Sequence, residues 1–330
     1  MNLLKEGFFY KKYGDKLQCN LCPHNCVLDN GQKGICSVRV NEDNILKTIN
    51  YGEITAMAMD PIEKKPLYHF YPGSNILSVG SFGCNLSCSF CQNYSIAHYR
   101  VKSKYMTVKN LIDNILEHKN NIGIAFTYNE PTISYEYIYE VSKEVKSTNP
   151  DMKVVLITNG YMEIESLRRL LPYIDAMNID LKSFQKDYYK KVCGGNLNPV
   201  LKVIEEVSGQ CHLEITTLLV NGLNDSKDEV EKIASFISNL DKNIPLHLSR
   251  YFPTYKMNRP PTKIDVMMKN RNIAKKFLNY VYLGNISGVD NSTYCPKCGE
   301  LIIKRNYYSS KTYIIDNKCP SCNNDIKIVI

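Results

Sequence analysis

Thirteen cysteines in 330 residues fall into three sets plus two single residues, and their spacing sorts them by chemistry. Cys84, Cys88 and Cys91 stand as C-x3-C-x2-C in the run Ser81-Phe82-Gly83-Cys84-Asn85-Leu86-Ser87-Cys88-Ser89-Phe90-Cys91-Gln92-Asn93. Three thiolates at that spacing can each take one iron of a four-iron cluster and leave the fourth iron without a protein ligand. A cluster kept for electron transfer normally has four protein ligands, so an open iron points to a bound substrate or cofactor. A zinc knuckle is the structural alternative; zinc wants four ligands, and the nearest fourth candidate is His98. At the other end, Cys295-Pro296-Lys297-Cys298 and Cys319-Pro320-Ser321-Cys322 are two CPxC knuckles. Together they predict a tetrahedral S4 site for zinc, or for a single iron.

Cys19, Cys22, Cys26 and Cys36 form C-x2-C-x3-C-x9-C. They predict a second site, for another iron–sulfur cluster or a zinc, in which His24 could replace one thiolate; free thiols are the alternative. Cys193 precedes Gly194-Gly195 and reads as a substrate-side thiol, a hydrogen donor, a cluster ligand or an inert loop cysteine. Cys211 flanks a strand and reads as a small core residue. The N-terminus carries charges throughout, with no apolar stretch of a secretory signal and no run of 18 apolar residues anywhere. A cytoplasmic protein with no membrane association is expected. In a reducing compartment, clustered cysteines mean metal rather than disulfides. The net charge of +8 comes from lysines spread along the chain, so a solvated basic surface is expected and nucleic acid is not a favoured partner.

These groups need positioning. Six short, β-branched runs read as strands buried on both faces: Asn75–Ser81, Gly123–Thr127, Lys153–Asn159, Ala176–Leu181, His212–Val220 and Leu246–Tyr251. Helical periodicity lies between them, in Val108–His118, Thr132–Lys146, Ile164–Leu171, Pro199–Ser208, Asp228–Leu240 and Asp265–Leu278. Alternation of the two predicts an α/β fold with a parallel sheet. About six units favour an incomplete (β/α)6 barrel; a doubly wound open sheet is the runner-up, which periodicity alone does not separate. The expected organisation is a Cys-rich region over residues 1–75, the βα body over 76–285 and a metal-stapled appendix over 291–330. That appendix is too short for a sizeable core and has a hairpin between its knuckles.

The cysteine triad follows the first strand directly, in the kind of βα loop that forms active sites in barrels. The second strand ends at Phe126-Thr127-Tyr128-Asn129-Glu130-Pro131-Thr132, with Thr132 a candidate helix N-cap. The third ends at Thr158-Asn159-Gly160. In the fourth, alternation puts Asn178, Asp180 and Lys182 on one face; a plain ion pair is the structural alternative for the last two. The fifth carries Glu214 and Thr216 on one face, and the sixth carries His247 and Ser249. A lone strand histidine is as often a packed residue as a ligand.

The C-x3-C-x2-C loop resembles the signature of the radical S-adenosylmethionine (SAM) superfamily. That resemblance implies a partial (β/α)6 TIM-type barrel, with a [4Fe–4S] cluster on Cys84, Cys88 and Cys91 and SAM chelated at the open iron. Reductive cleavage of SAM would give a 5′-deoxyadenosyl radical that abstracts a substrate hydrogen. It assigns Phe90, Asn93, Tyr128, Asn129, Glu130, Thr158, Asn159, Asp180, Lys182, Glu214 and His247 to the cofactor, and leaves Cys193 a possible catalytic thiol. It also implies a reductant such as ferredoxin or flavodoxin. The TNG turn and the D-L-K strand are shared with glycyl-radical-enzyme activases such as pyruvate formate-lyase activating enzyme. Those typically carry Asp before TNG as part of a cation site, where this chain has Ile157. A narrower resemblance is to the radical SAM component of AmmeMemoRadiSam systems. It rests on Cys22-Pro23-His24, Gly34-Ile35-Cys36-Ser37-Val38-Arg39, Asp60-Pro61-Ile62-Glu63-Lys64-Lys65-Pro66, Thr127–Thr132, Cys193-Gly194-Gly195, Leu248-Ser249-Arg250-Tyr251 and a two-knuckle, zinc-ribbon or rubredoxin-like tail. It implies Memo-type and AMMECR-type partners. A third reading is nucleic-acid modification, with the tail docking through Lys304, Arg305, Lys311 and Lys318.

Overall fold

The computed structural model describes residues 4–330. Its frame is one eight-stranded sheet: β1 (Ala56–Pro61), β2 (Asn75–Gly80), β3 (Asn121–Phe126), β4 (Lys153–Thr158), β5 (Ala176–Asp180), β6 (His212–Leu219), β7 (Leu246–Arg250) and β8 (Val281–Gly284). β1 pairs antiparallel with β2; from β2 onward each strand pairs parallel with the next. The spatial order therefore equals the chain order. A doubly wound sheet would reverse direction at its middle, so the open-sheet alternative is excluded. Among the described residues β1 and β8 do not pair, and the barrel is incomplete.

Six expected strands are present, and two more flank them. β8 is only four residues long, too short a run to stand out by periodicity. β1 lies within residues grouped by composition with the N-terminal region, yet it is the sheet's first strand.

Helices α1 (Val108–Glu117), α2 (Tyr135–Thr148), α3 (Ile164–Leu170), α4 (Leu197–Val207), α5 (Lys227–Asp241) and α6 (Ile264–Ala274) fill the crossovers. Thr107 caps α1 by accepting from the Asn110 amide, and Ser226 caps α5 by accepting from that of Glu229. Apolar stripes such as Val200, Val203, Ile204 and Val207 of α4 join the main core. Alternation along the strands splits the apolar residues in two. Val154, Leu156, Met177 and Ile179 belong to the core shared with the helices. Val155, Ala125 and Ala176 face the other way, against Ile62, Leu67 and Phe70.

Those last three come from the segment between β1 and β2, which plugs the barrel interior. The C-terminal ribbon secures the plug. Tyr71 N donates to Val329 O at 2.7 Å, and Val329 N donates to His69 O at 2.9 Å. Arg305 donates to the Tyr68 carbonyl and to Thr293 Oγ1, and its guanidinium lies 4.5 Å from the centre of the Tyr68 ring. Arg305 is buried, which removes it from the basic residues the tail could offer to nucleic acid. The hairpin expected in the tail is Leu301–Asn306 paired with Ser309–Thr312. Two small three-stranded sheets form the N-terminal region. This region docks on α2 through a buried ion pair, Arg39 to Glu136 at 2.7 Å. Among the described residues no helix is long and apolar enough to cross a membrane.

Candidate active site

At the C-terminal ends of the strands a cavity of about 260 Å³ opens. The loop after β2 supplies Cys84, Cys88, Phe90, Cys91 and Asn93 to its wall. The end of β3 supplies Tyr128, Asn129 and Glu130; β4 supplies Thr158 and Asn159; β5 supplies Asp180 and Lys182. The structure thus gathers twelve of the residues expected around the cofactor from four successive strand ends.

Hydrogen bonds fix the cysteine loop to those ends. Asn129 accepts from Ser81 N at 2.9 Å and donates to Gly83 O at 3.1 Å. Asn159 Nδ2 donates to Asn85 Oδ1 at 2.9 Å and reaches Cys84 Sγ at 3.7 Å. Asn93 donates to Tyr128 O at 2.7 Å. Tyr128 itself sits in the left-handed region at φ 70°, uncommon for a side chain of this size. Two contacts hold it. Its hydroxyl donates to Asp60 Oδ2 at 2.6 Å, and Lys65 lies 4.5 Å from its ring centre. Burial opposes ionisation of Asp60, but Lys64, Lys65 and Tyr128 outweigh it and hold the carboxyl well below the usual range. Gly80 makes the room: a Cβ there would stand 2.8 Å from Thr127 O and 2.9 Å from Tyr128 Cβ.

Glu130 is the hub. Its Oε1 accepts from Thr132 N at 2.9 Å, Thr132 Oγ1 at 2.6 Å and Thr158 Oγ1 at 2.7 Å; its Oε2 accepts from Asn159 N at 2.8 Å. Glu130, not Thr132, is the N-cap of the turn Pro131–Ser134, because Pro131 occupies the first helical position and needs no donor partner. Burial raises the Glu130 carboxyl above its ordinary value despite these donors.

Burial and mutual repulsion dominate the electrostatics of the triad. Burial, then the Glu130 carboxylate and Cys88, push the Cys84 thiol up; burial, then Cys88, push Cys91 up to about 11. Cys88 moves the other way, through a hydrogen bond from the Cys193 thiol and against burial. Burial works against the charge of Lys182, but Asp180 and the thiols of Cys88 and Cys193 outweigh it, so it remains a cation, 2.9 Å from Asp180 Oδ2. Crowded buried thiols resist ionising one another, and a bound metal removes that cost. Two further polar atoms, Thr216 Oγ1 and His98 Nε2, are buried without a partner among the described residues, and both residues line the cavity. The donor set and these unmatched groups fit a three-thiolate cluster carrying a polar cofactor.

Three expected residues lie apart from this cavity. Cys193 is fully buried beneath the loop, with its carbonyl accepting from Ser87 N at 2.8 Å. Glu214 accepts from His69 N at 2.7 Å, His212 Nε2 at 2.9 Å and His247 Nε2 at 2.6 Å. Burial alone would raise the Glu214 carboxyl; the two imidazoles hold it far below. Glu214 and His247 thus form a layer under the cavity, joined to the plug. The wall positions on those strands are Thr216, Leu218 and Ser249. Alternation gave the right face, but a two-residue step toward the strand end decides which residue reaches the cavity.

The four C-terminal cysteines gather their sulfurs within 4.8 Å of one another, with Cys295 to Cys322 at 3.6 Å and Cys298 to Cys319 at 3.5 Å. Tetrahedral coordination at about 2.3 Å requires sulfurs about 3.8 Å apart, so these residues could hold one zinc or iron.

An incomplete parallel barrel with a three-thiolate loop after its first parallel strand defines a class, and the comparisons agree. A family model described as the radical SAM superfamily matches residues 78–237. An uncharacterised protein of Methanocaldococcus jannaschii is 39% identical over 339 residues, covering 99% of this chain and 100% of that one. A putative glycyl-radical enzyme activating enzyme of the same organism is 27% identical over 217 residues, covering 63% of this chain and 80% of that one. A radical SAM methyltransferase of Sphaerobacter thermophilus shares the fold, with a TM-score of 0.51 at 17% identity over 70% of this chain and 71% of that one. The chain belongs to the radical SAM superfamily, and its relatives include enzymes named as activases of glycyl-radical and pyruvate formate-lyase type. It is an enzyme, and its family implies a [4Fe–4S] cluster and SAM.

Proposed function

We propose that Cys84, Cys88 and Cys91 hold the cluster, that SAM occupies the cavity beside them, and that the enzyme is of the AmmeMemoRadiSam type, acting on a substrate other than a glycyl-radical protein. The carrying observation is the convergence of the three thiols, the Asp180–Lys182 pair and the unpartnered Thr216 hydroxyl on one cavity. When bound, the cluster and SAM supply a one-electron cleavage that yields the hydrogen-abstracting 5′-deoxyadenosyl radical. The chain's own residues do the positioning. Glu130 ties the ends of β3 and β4 together, Asn159 and Asn129 orient the cysteine loop, and Lys182 keeps a positive charge beside the thiolates. The plug beneath the cavity leaves approach from the strand ends.

The activase relatives favour a second reading. Against it stands Ile157, which lines the cavity where the activases typically carry a carboxylate of a cation site. A ferredoxin or flavodoxin is proposed as reductant, with Memo-type and AMMECR-type proteins as partners. Anaerobic reconstitution with SAM and a low-potential reductant is expected to release 5′-deoxyadenosine. An intact cluster that releases none rejects the proposal. A glycyl-radical EPR signal on a co-purified protein selects the activase reading.

A further inference from the structure

Cys19, Cys22, Cys26 and Cys36 wall a cavity of their own, shared with His24, Gly34 and Arg39. A Cβ on Gly34 would stand 3.6 Å from Cys26 Sγ and 3.8 Å from Cys36 Sγ, so that residue leaves space beside both sulfurs. The backbone amides of Leu21, His24, Val38 and Arg39 lie beside the sulfurs, Leu21 at Cys19, His24 at Cys22, and Val38 and Arg39 at Cys36. The central triad uses the same device, with Leu86 N donating to Cys84 Sγ at 3.4 Å. Amides aimed at sulfur stabilise metal-bound thiolate.

Arg39 adds an independent sign of a missing acceptor. Its guanidinium is buried, and its terminal nitrogens are taken by Glu136 at 2.8 and 2.7 Å. Its Nε is a buried donor with no partner among the described residues, which is costly unless something in the cavity accepts from it. Thiolate or bridging sulfide would do so, and the guanidinium supplies positive charge to a site that collects negative sulfur.

Spacing selects the occupant. A single tetrahedral ion draws its sulfurs together, and among the described residues only the C-terminal four are gathered within 4.8 Å. Neither the N-terminal four nor Cys84, Cys88 and Cys91 are gathered that tightly. Thiolates on different irons of a cluster need a wider separation. We infer that Cys19, Cys22, Cys26 and Cys36 hold a second iron–sulfur cluster in which every iron is taken by protein thiolate. A saturated cluster has no iron for SAM and serves as a one-electron carrier: it gains one electron from a low-potential donor of the ferredoxin or flavodoxin class and gives one up. Its position suits that role. His24 Nε2 donates to Asn85 O at 2.7 Å, one residue from Cys84, and the Cys36 carbonyl lies 3.0 Å from where a Gly83 Cβ would stand.

The test removes the central site. The full chain carrying Cys84→Ala, Cys88→Ala and Cys91→Ala is reconstituted anaerobically with iron and sulfide. About two or four acid-labile sulfides per chain are expected, for a two-iron or four-iron cluster. An EPR signal should appear on reduction and stay unchanged when SAM is added. No sulfide, with two zinc ions per chain, overturns the inference; a SAM-dependent signal overturns the saturated ligation. The same assays on the natural sequence, with Cys19→Ser/Cys36→Ser in parallel, control for misfolding. The double variant should lose the sulfide that the triple variant keeps, and equal sulfide in the double variant and the natural sequence overturns the assignment. A natural sequence holding no more sulfide than the triple variant would instead sink the radical SAM reading of the central triad and leave the second cluster standing.

Discussion

Replacing Glu130 by glutamine separates an organising role from a purely ligand-binding one. Three donors meet Oε1 and one meets Oε2. The amide oxygen of glutamine therefore takes the Oε1 position, and its NH2 is turned toward the Asn159 amide, which is also a donor. One buried hydrogen bond to a carboxylate is lost and Asn159 N is left without an acceptor, a loss of about 1.5–3 kcal/mol. The effect does not stop there. Asn159 is the residue whose side chain spans Asn85 and Cys84, so its displacement loosens the first cysteine of the triad. Anaerobic urea denaturation of the cluster-free protein should show the stability loss. The reduced, reconstituted variant should show an altered EPR line shape before SAM is added. Had Glu130 only to meet the cofactor, the cluster-free protein would keep its stability and only the response to SAM would change. A Glu130→Gln protein within about 0.5 kcal/mol of the natural one, the usual spread for an inconsequential substitution, would refute the reasoning.

Three other predictions rest on equally local geometry. Burial holds the His69 imidazole down to about 3, from 6.5 when exposed. Between those values the unfolded chain binds a proton that the folded chain does not, so stability falls as pH drops below 6.5; at pH 5 the loss is about 2 kcal/mol. The depressed carboxyl of Glu214 adds its own loss only below about pH 4.5, but burial lowers His98 and raises Glu130 as well, so urea titrations at pH 7 and pH 5 are compared between the natural sequence and His69→Gln, and an equal pH dependence in both would contradict the neutral burial of His69. Gly80→Ala forces a methyl against Thr127 O and Tyr128 Cβ; a cost of about 1–3 kcal/mol and weaker SAM binding are expected by denaturation and by equilibrium dialysis. Chelation should withdraw about one zinc or iron per chain from the C-terminal cysteines and lower the melting temperature, because Arg305 of that ribbon secures the plug; an unchanged melting temperature on metal loss would show the ribbon to be independent of the barrel.

Strand existence was legible because strands buried on both faces read as apolar runs, and six of the parallel strands lie where those runs fall. The edges were not. β8 is a four-residue run, and β1 hides in a region whose cysteines and turns drew attention to metal instead. At the site, residues next to the cysteines or at the ends of β3 to β5 were readable because a βα loop and a strand's last residue must both lie at the same end of a parallel sheet. Glu214 and His247 were misjudged in depth, not in direction. Thr216 and Ser249 share their faces and lie two residues nearer the strand ends. Strand stagger decides which layer a residue occupies, and stagger depends on partners distant in the chain. The unpartnered Thr216 hydroxyl is visible only once those partners are placed.

Depth also explains why so polar a barrel interior is stable. His69 Nδ1 faces the Lys327 carbonyl at 3.3 Å and so carries the proton; its Nε2 then accepts from the Tyr282 hydroxyl at 2.7 Å. Tyr282 can in turn accept from Thr293 at 2.7 Å, and Thr293 accepts from Arg305 at 2.6 Å. His212 and His247 both donate to Glu214, which leaves its carboxylate fully occupied from below and from the side. Most polar atoms of this layer are matched by another, Arg305 Nε being an exception, and the matching runs from the C-terminal ribbon through the plug to β6 and β7. A buried polar network is stabilising to the degree that its members are satisfied. The layer therefore acts as a floor, and the cavity above it holds the unmatched Thr216 Oγ1 and His98 Nε2. A largely satisfied floor beneath a wall that carries unmatched polar groups favours placing the chemistry at the strand ends and not within the barrel.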